Sequence, residues 1–287
     1  MAVRARNLPV LGPQGFLNLA YLDWEGPSGA PVVVCVHGLT RNAHDFDTLA
    51  KILSAEFRVI CPDMPGRGGS DWLSDGKGYG FPLYLAVAAA LYARLDVATV
   101  DWIGTSMGGL IGMFFAGLPH SPVRRLMMND IGPFVPRSGL ERIGETVGVD
   151  PAFSSRDELE AYLRKTFAAF GPLSDAQWRH LAAYSGRTRS DGRLGLAYDP
   201  RLGDPFKAGA PTGPPKDLDL WPFYDRLRCP TLVFRGANSD ILLPRDALAM
   251  TERGPRARVI EFPGIGHAPA LMATDQIAVV REFLLAD

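Results

Sequence analysis

Cysteine is scarce in this sequence, and long apolar runs are missing. The three cysteines, Cys35, Cys61 and Cys229, lie far apart and form no Cys-x-x-Cys or Cys/His spacing of the kind that binds zinc. We therefore expect free buried thiols and no metal site. The N-terminus is followed by no uninterrupted apolar stretch long enough for a signal peptide or a membrane span, so we expect a cytoplasmic protein without a membrane partner.

The sequence also lacks an excess of charge of either sign. Its 30 lysines and arginines are balanced by 31 aspartates and glutamates, and no basic run is long enough to bind a phosphate backbone. Nucleic acid is therefore not an expected partner. With 47% apolar residues, the chain is typical of a globular protein with one large core, or with a core and a modest appendage. The oligomeric state stays open.

Short apolar runs alternate with helical patterns in the first half of the chain. Residues 32–36 read VVVCV, a run without a polar face, which predicts a strand covered on both sides. Helical patterns near 43–55 and 80–95 and from 107 onward separate this run from three more of its kind. The alternation implies βαβ units with right-handed crossovers, and so an α/β fold with a doubly wound, mostly parallel sheet.

The rhythm changes after Pro133. Residues 134–216 contain helical patterns without buried strands, and strand patterns return only at 231–234. We therefore divide the chain into a core, residues 1–133 and 217–287, and an inserted helical cap, residues 134–216. Trp178 lies on an amphipathic helix of this cap, where it either packs in the cap core or lines the substrate site.

Ser106 carries the strongest local signal for chemistry. It lies in Gly104-Thr105-Ser106-Met107-Gly108, between a predicted strand and a predicted helix, which matches the nucleophile elbow G-x-S-x-G. The glycines permit a strained turn that pushes the serine out at the carboxyl edge of the sheet. The N-H groups at the start of the following helix then face the negative charge that develops on an attacked carbonyl.

A nucleophilic serine needs a base, and the base needs a carboxylate. His267 lies in a glycine-rich loop between the last strand and the last helix, at the same sheet edge as Ser106. We predict Asp240, in the loop after the strand at 231–234, as the acid that orients His267. Asp130, at the end of the preceding strand, is the alternative acid, because that strand ends at the same edge.

An oxyanion needs at least two hydrogen-bond donors. We assign the backbone N-H groups of Met107 and of Leu39, in the loop His37-Gly38-Leu39-Thr40 after the first buried strand, to this role. His37 itself is expected to shape the loop. Arg41 either pairs with a carboxylate on the substrate or braces the loop through a salt bridge.

With these residues the sequence resembles the α/β-hydrolase superfamily over nearly its full length, from His37-Gly38 through the Ser106 elbow to Gly266-His267. The resemblance implies an eight-stranded, mostly parallel sheet, a helical cap inserted after the sixth strand, and no metal or organic cofactor. The chain order Ser106, Asp240, His267 agrees with the order in that superfamily. An acyl-enzyme mechanism is also implied, in which Ser106 attacks a carbonyl and water later releases the acid.

Other activities of the superfamily fit these residues less well. Epoxide hydrolases and haloalkane dehalogenases carry aspartate where this chain has Ser106. Many carbon-carbon bond hydrolases place tryptophan directly after the histidine, where this chain has Ala268. We predict hydrolysis of a carboxylic ester, lactone or thioester of a small acyl substrate. Carbon-carbon bond hydrolysis and a non-catalytic ligand receptor on the same fold are the alternatives.

Overall fold

An eight-stranded sheet runs through the centre of the molecule, in the spatial order β1-β2-β4-β3-β5-β6-β11-β12. The computed structural model describes residues 2–207, 210, 213 and 215–286. In chain order the strands are β1 (Val3–Gly12), β2 (Gly15–Trp24), β3 (Val32–Val36), β4 (Arg58–Pro62), β5 (Val100–Thr105), β6 (Val123–Asn129), β7 (Phe134–Val135), β8 (Gly186–Thr188), β9 (Leu194–Leu196), β10 (Leu218–Asp219), β11 (Thr231–Gly236) and β12 (Arg258–Phe262).

The helices complete the alternation that the sequence predicts. They are α1 (Asp47–Leu53), α2 (Phe81–Leu95), α3 (Met107–Ala116), α4 (Arg137–Thr146), α5 (Arg156–Thr166), α6 (Asp175–Ser185), α7 (Trp221–Tyr224), α8 (Pro244–Glu252) and α9 (Thr274–Leu285). Neighbouring strands from β4 through β3, β5, β6 and β11 to β12 pair in parallel, whereas β2 pairs antiparallel with both β1 and β4. The predicted α/β class and the eight-stranded, mostly parallel sheet are confirmed.

The central strands are buried on both faces, and their side chains alternate between two cores. In β3, Val32, Val34 and Val36 face a core built with α2, α3 and α8. Val33 and Cys35 face the opposite core, which is built with α1 and α9. Because successive side chains of a strand point to opposite faces, a run without polar residues is required wherever helices cover both faces.

The segment of residues 134–216, here called the cap segment, leaves the sheet between β6 and β11. Its two ends meet in a short antiparallel pair, β7 with β10. Within it, α4, α5 and α6 pack with the hairpin β8-β9 around a separate apolar cluster that includes Leu159, Leu163 and Leu181. The sequence did not predict the hairpin. The strands of the main sheet therefore stay continuous while the insertion builds its own small core.

Serine side chains cap the N-termini of α5 and α6 in the cap segment. The Ser174 hydroxyl accepts a hydrogen bond from the N-H of Gln177, whose side chain in turn accepts from the Ser174 N-H, a complete capping box. Ser155 caps α5 in the same way, but the Glu158 carboxylate reaches back to the N-H of Ser154, one residue earlier. Each helix therefore starts where a side chain satisfies its free N-H groups.

The cysteines are free thiols. Cys35 and Cys61 are buried in the sheet and Cys229 is half-buried. None of the helices in the described part of the chain has the length and apolar character needed to cross a bilayer.

Candidate active site

Ser106 occupies a strained position between β5 and α3. Its backbone has a φ of 51° and a ψ of -115°, a left-handed conformation that a residue with a side chain rarely adopts. The turn presents the serine at the carboxyl edge of the sheet, one residue before the N-terminus of α3. Strain of this kind persists only where the surrounding structure enforces it.

The two glycines of the elbow have no room for a side chain. A Cβ on Gly104 would lie 2.2 Å from the backbone of Gly108, and a Cβ on Gly108 would lie 2.0 Å from the carbonyl oxygen of Val36. The G-x-S-x-G pattern is thus a steric requirement, since β3, β5 and α3 approach one another through backbone atoms at this point.

His267 lies between Ser106 and a buried carboxylate. Its Nε2 is 2.8 Å from the Ser106 Oγ, and its Nδ1 is 2.8 Å from Oδ2 of Asp130. The imidazole side chain is 13% exposed and the Asp130 side chain is fully buried. This chain of hydrogen bonds suits proton transfer from a serine hydroxyl to Nε2, with Nδ1-H donating to the carboxylate.

Three donors satisfy the Asp130 carboxylate. Besides His267, the Gly236 N-H donates to Oδ1 over 2.7 Å and the Ser239 hydroxyl donates to Oδ2 over 2.5 Å. Asp130 directly follows β6, with a φ of 52°, and its own N-H donates to the carbonyl of Phe234 on β11. A buried carboxylate without such partners would be costly, so these donors satisfy its oxygens and hold it in one orientation.

Asp240, the predicted acid, is not the partner of His267. Its side chain is 44% exposed and forms a two-point ion pair with Arg142 of α4. The prediction of Asp240 was wrong, and the alternative, Asp130, occupies the position. Both aspartates follow neighbouring parallel strands and both fit the order Ser, Asp, His, so the sequence could not choose between them. The loop after β11 still reaches the site, because Ser239 binds Asp130.

The loop after β3 lies against the elbow. A Cβ on Gly38 would be 3.8 Å from the Cβ of Ser106, so Leu39 follows at the edge of the site. Among the described residues, the Leu39 N-H donates no hydrogen bond to a backbone carbonyl. Met107 is the first residue of α3, where a helical N-H has no partner within the helix. Both N-H groups are therefore available as the predicted oxyanion donors.

Arg67 is a site residue that sequence reasoning missed. Its guanidinium is fully buried and donates to the carbonyl of Leu39 and to the sulfur of Met107, and so joins the two residues assigned to the oxyanion hole. It also donates to the carbonyl of Pro65 and the hydroxyl of Tyr84. No carboxylate of the described residues forms an ion pair with it. No local sequence pattern in the segment Asp63 to Ser70 marks Arg67.

Comparison with known proteins identifies the family. The model of the alpha/beta hydrolase family matches residues 33–280. The chain belongs to the alpha/beta hydrolase family. A 3-hydroxybutyrate-oligomer hydrolase of Cupriavidus necator is 44% identical over 277 residues, 95% of this chain and 94% of the relative. A crystal structure of an alpha/beta hydrolase from Novosphingobium aromaticivorans is 36% identical, with a TM-score of 0.87 over 99% of each chain.

A more distant relative is an esterase of Mycobacterium tuberculosis. It is 26% identical over 249 residues, which cover 85% of this chain and 78% of the esterase. The predicted family is confirmed, and the chain is an enzyme with hydrolase activity. The receptor alternative is therefore not retained.

His37 holds the loop after β3, which carries Leu39, against the segment at Met64. The ring is fully buried; its Nδ1 is 2.7 Å from the carbonyl of Gly38, and its Nε2 accepts from the Met64 N-H over 2.9 Å. These partners require the neutral tautomer with the proton on Nδ1. Burial lowers the pKa of His37 to about 3, and the nearby positive charges of Arg67 and Arg41 also lower it.

The neutral His37 is expected to make folding sensitive to acid. Below pH 6.5 the unfolded chain protonates this histidine, whereas the folded chain resists until about pH 3, so the unfolded state binds more protons in this window. The free energy of unfolding should fall by about 2 kcal/mol between pH 7 and pH 5 through this group alone. Urea unfolding of the native protein and of His37→Gln at both pH values measures the difference. Equal losses in the two proteins would contradict it.

An apolar cavity of about 230 Å³ opens beside Ser106. Its walls include Tyr79, Phe81 and Phe206. The Tyr79 hydroxyl is engaged, because it donates to the buried Asp199 over 2.7 Å, so the ring contributes its apolar face. A second cavity, of about 110 Å³, also has Ser106 in its wall and is lined by His267 and by more polar residues. Two cavities therefore adjoin the nucleophile of this hydrolase.

Arg41 and Trp178 each take the structural role that the sequence offered as an alternative to substrate contact. Arg41 uses its Nε and Nη2 for Asp45 and its Nη1 for the Ser185 hydroxyl, and its guanidinium lies 4.8 Å from the ring centre of Phe167. It braces the oxyanion loop against the cap segment. Trp178 is buried in the cap cluster and lines neither cavity at Ser106. Every guanidinium nitrogen of Arg41 is hydrogen-bonded within the protein, and the Trp178 ring is covered by the cap cluster, so both side chains stabilise the fold.

Proposed function

We propose that this hydrolase cleaves carboxylic esters through an acyl-enzyme on Ser106, and that its substrates are short oligomers of 3-hydroxybutyrate or of a similar short 3-hydroxy acid. The observation that carries the mechanism is the pair of 2.8 Å contacts that join Ser106 to His267 and His267 to Asp130. The substrate class is suggested by the 44% identical oligomer hydrolase, which aligns over nearly the whole chain.

In the first half of the reaction, the Ser106 Oγ attacks the ester carbonyl carbon while its proton passes to Nε2 of His267. Asp130 accepts from Nδ1-H and stabilises the imidazolium that forms. The carbonyl oxygen becomes an oxyanion, which the N-H groups of Leu39 and Met107 bind. When the tetrahedral intermediate collapses, the bond to the alcohol oxygen breaks, and His267 returns the proton to that oxygen.

In the second half, water attacks the acyl group on Ser106. His267 Nε2 accepts a proton from the water, the same two N-H groups bind the second oxyanion, and the bond between Ser106 Oγ and the acyl carbon breaks. His267 then protonates the serine oxygen and the free acid leaves. Every step uses groups of this chain, and proton balance is restored after each turnover.

The apolar cavity fits the methyl-bearing chain of a short hydroxy acid. Its walls are aromatic and aliphatic, and the phenol of Tyr84 is occupied as an acceptor for Arg67. Such walls favour the acyl part of an oligoester through burial of its methyl and methylene groups, at about 0.8 kcal/mol for each CH₂. Charged groups on the acyl part would be disfavoured there.

The test is hydrolysis of 3-hydroxybutyrate dimer and trimer by the purified protein, with release of the monomer measured. A lactone and an acyl thioester of matched chain length are compared in parallel, because the triad chemistry applies to all three. We expect the oligoesters to give the highest kcat/KM. Labelling by a fluorophosphonate probe reports separately whether Ser106 is activated.

The two readouts separate the two parts of the proposal. A protein that the probe labels but that leaves both oligoesters intact would contradict the substrate class alone. A folded protein that remains unlabelled and inactive towards every ester, lactone and thioester would contradict the serine mechanism.

A further inference from the structure

Ser106 lies where the two cavities meet. The apolar cavity and the smaller, more polar cavity share Leu39, Ser106 and Ile143 as lining residues. An ester bound across the serine therefore has its acyl part on one side and its alcohol part on the other. The direction in which the substrate lies depends on which cavity takes the leaving alcohol.

His267 fixes this direction. The imidazole lines the smaller cavity and does not line the apolar one. Since Nε2 must hand its proton to the leaving oxygen, the alcohol part belongs on the His267 side. In an oligomer of a hydroxy acid, the alcohol part ends in the free carboxylate of the chain, which is ionised at neutral pH. The smaller cavity should then offer a cation.

Three arginines line the two cavities: Arg41 and Arg142 in the smaller, Arg201 in the larger. Arg41 and Arg201 have every guanidinium nitrogen engaged, the latter by Asp199 and two backbone carbonyls. Arg142 differs. Its Nε and Nη2 bind Asp240, and Nη1 makes no hydrogen bond within the described part of the chain.

Asp240 orients this arginine. The carboxylate binds one edge of the Arg142 guanidinium, at Nε and Nη2. Helix α4 also packs closely against the loop that carries Asp240, because a Cβ on Gly139 would lie 2.9 Å from the Asp240 carbonyl oxygen. The Arg142 side chain is 48% exposed, and its free Nη1 lies at a wall shared with Ser106 and His267. The planar guanidinium, with one edge bonded to Asp240, offers its remaining N-H groups to a second carboxylate.

We propose that Nη1 of Arg142 binds the terminal carboxylate of the leaving hydroxy acid, so that the enzyme removes single units from the carboxyl end of the oligomer. The inference rests on the proposed ester hydrolysis. The larger cavity then holds the remaining acyl chain and the smaller one holds one unit. Arg142 is a specificity residue, and the chemistry of the triad does not depend on it.

The test compares a 3-hydroxybutyrate trimer with its carboxyl-methyl ester, which is neutral. A charge-assisted hydrogen bond predicts that native enzyme prefers the free acid by about tenfold or more in kcat/KM. Arg142→Gln should bring that ratio close to one, and Arg142→Lys should keep part of it. Arg137→Gln is the matched control, because Arg137 is on the same helix, pairs with Glu141 and lines neither cavity. It should keep the native ratio.

The position of cleavage gives a second readout. With a trimer that carries ¹³C in its carboxyl-terminal unit, the first monomer released by native enzyme should be the labelled one. Unlabelled monomer first, or a ratio that Arg142→Gln leaves unchanged while hydrolysis continues, would overturn the inference and leave ester hydrolysis standing. If the native enzyme hydrolyses neither the trimer nor its methyl ester, the proposed function itself is contradicted.

Discussion

Asp130→Asn is expected to lower kcat for ester hydrolysis about 10⁴-fold with little change in KM. An asparagine amide at this position donates to Nδ1 of His267, so the imidazole proton moves to Nε2. That nitrogen can then no longer accept the proton of Ser106, although the geometry is kept. Steady-state kinetics on a neutral aryl butyrate measure the loss, since this ester needs no contact with Arg142.

Asp240→Asn is the matched comparison. It makes the same change in the other aspartate that fits the chain order Ser, Asp, His. Its carboxylate binds Arg142 at the surface of the site and does not touch His267. We expect a loss in kcat below about tenfold on the same aryl ester, of the size that an exposed ion pair can contribute. A 10⁴-fold loss in Asp240→Asn together with a small one in Asp130→Asn would return the acid role to Asp240.

Ser106→Ala is expected to lower kcat by about 10⁶-fold, because no other group can form the acyl-enzyme. The hydroxyl is also the atom that a fluorophosphonate modifies, so labelling should vanish. Ser121→Ala is the control: Ser121 lies beyond the far end of α3 and accepts only from the Val123 N-H, so that variant should label and turn over normally.

The proposed mechanism requires Ser106 and His267 to act in the same step, and a double variant tests this. His267→Ala alone should cost about as much as Ser106→Ala, and the two changes together should cost little more. A Ser106→Ala protein that keeps the native rate would refute the serine mechanism. If the fold-loss in kcat of the double variant equals the product of the two single losses, Ser106 and His267 act in separate steps.

The strands of the sheet centre could be predicted because their burial leaves a mark on the sequence. β3, β5 and β11 are covered on both faces and therefore read as apolar runs. β1 was missed. It is an edge strand whose residues are almost all exposed or half-buried, with Arg4 and Arg6 among them, and it is held by backbone pairing with β2. Pairing of that kind carries no hydrophobic signal.

Within the site, Ser106 and His267 were predictable from the glycines next to them. Glycine is needed where a backbone passes too close for a side chain, as at Gly104 and Gly108, so it marks these loops in the sequence. The choice of Asp130 is made by three donors from two segments that only the folded sheet brings together. Gly236 and Ser239 lie at the end of β11 and just after it, and His267 lies in the loop after β12. For Trp178 the sequence left core packing and substrate contact open, and the structure shows core packing. An amphipathic helix shows which face is covered, but the sequence does not tell whether protein or substrate covers it.

Arg67 hydrogen-bonds to both Leu39 and Met107, so a substitution near Arg67 affects both residues that are assigned to bind the oxyanion. A substitution that shifts the turn around Arg67 also displaces Leu39 and Met107, although residues 63–70 do not themselves line either cavity. Among randomly generated variants, inactive proteins should therefore also arise at residues 63–70, which do not face the substrate directly. A map of tolerated changes would show this turn as a second region of intolerance, separate from the nucleophile itself.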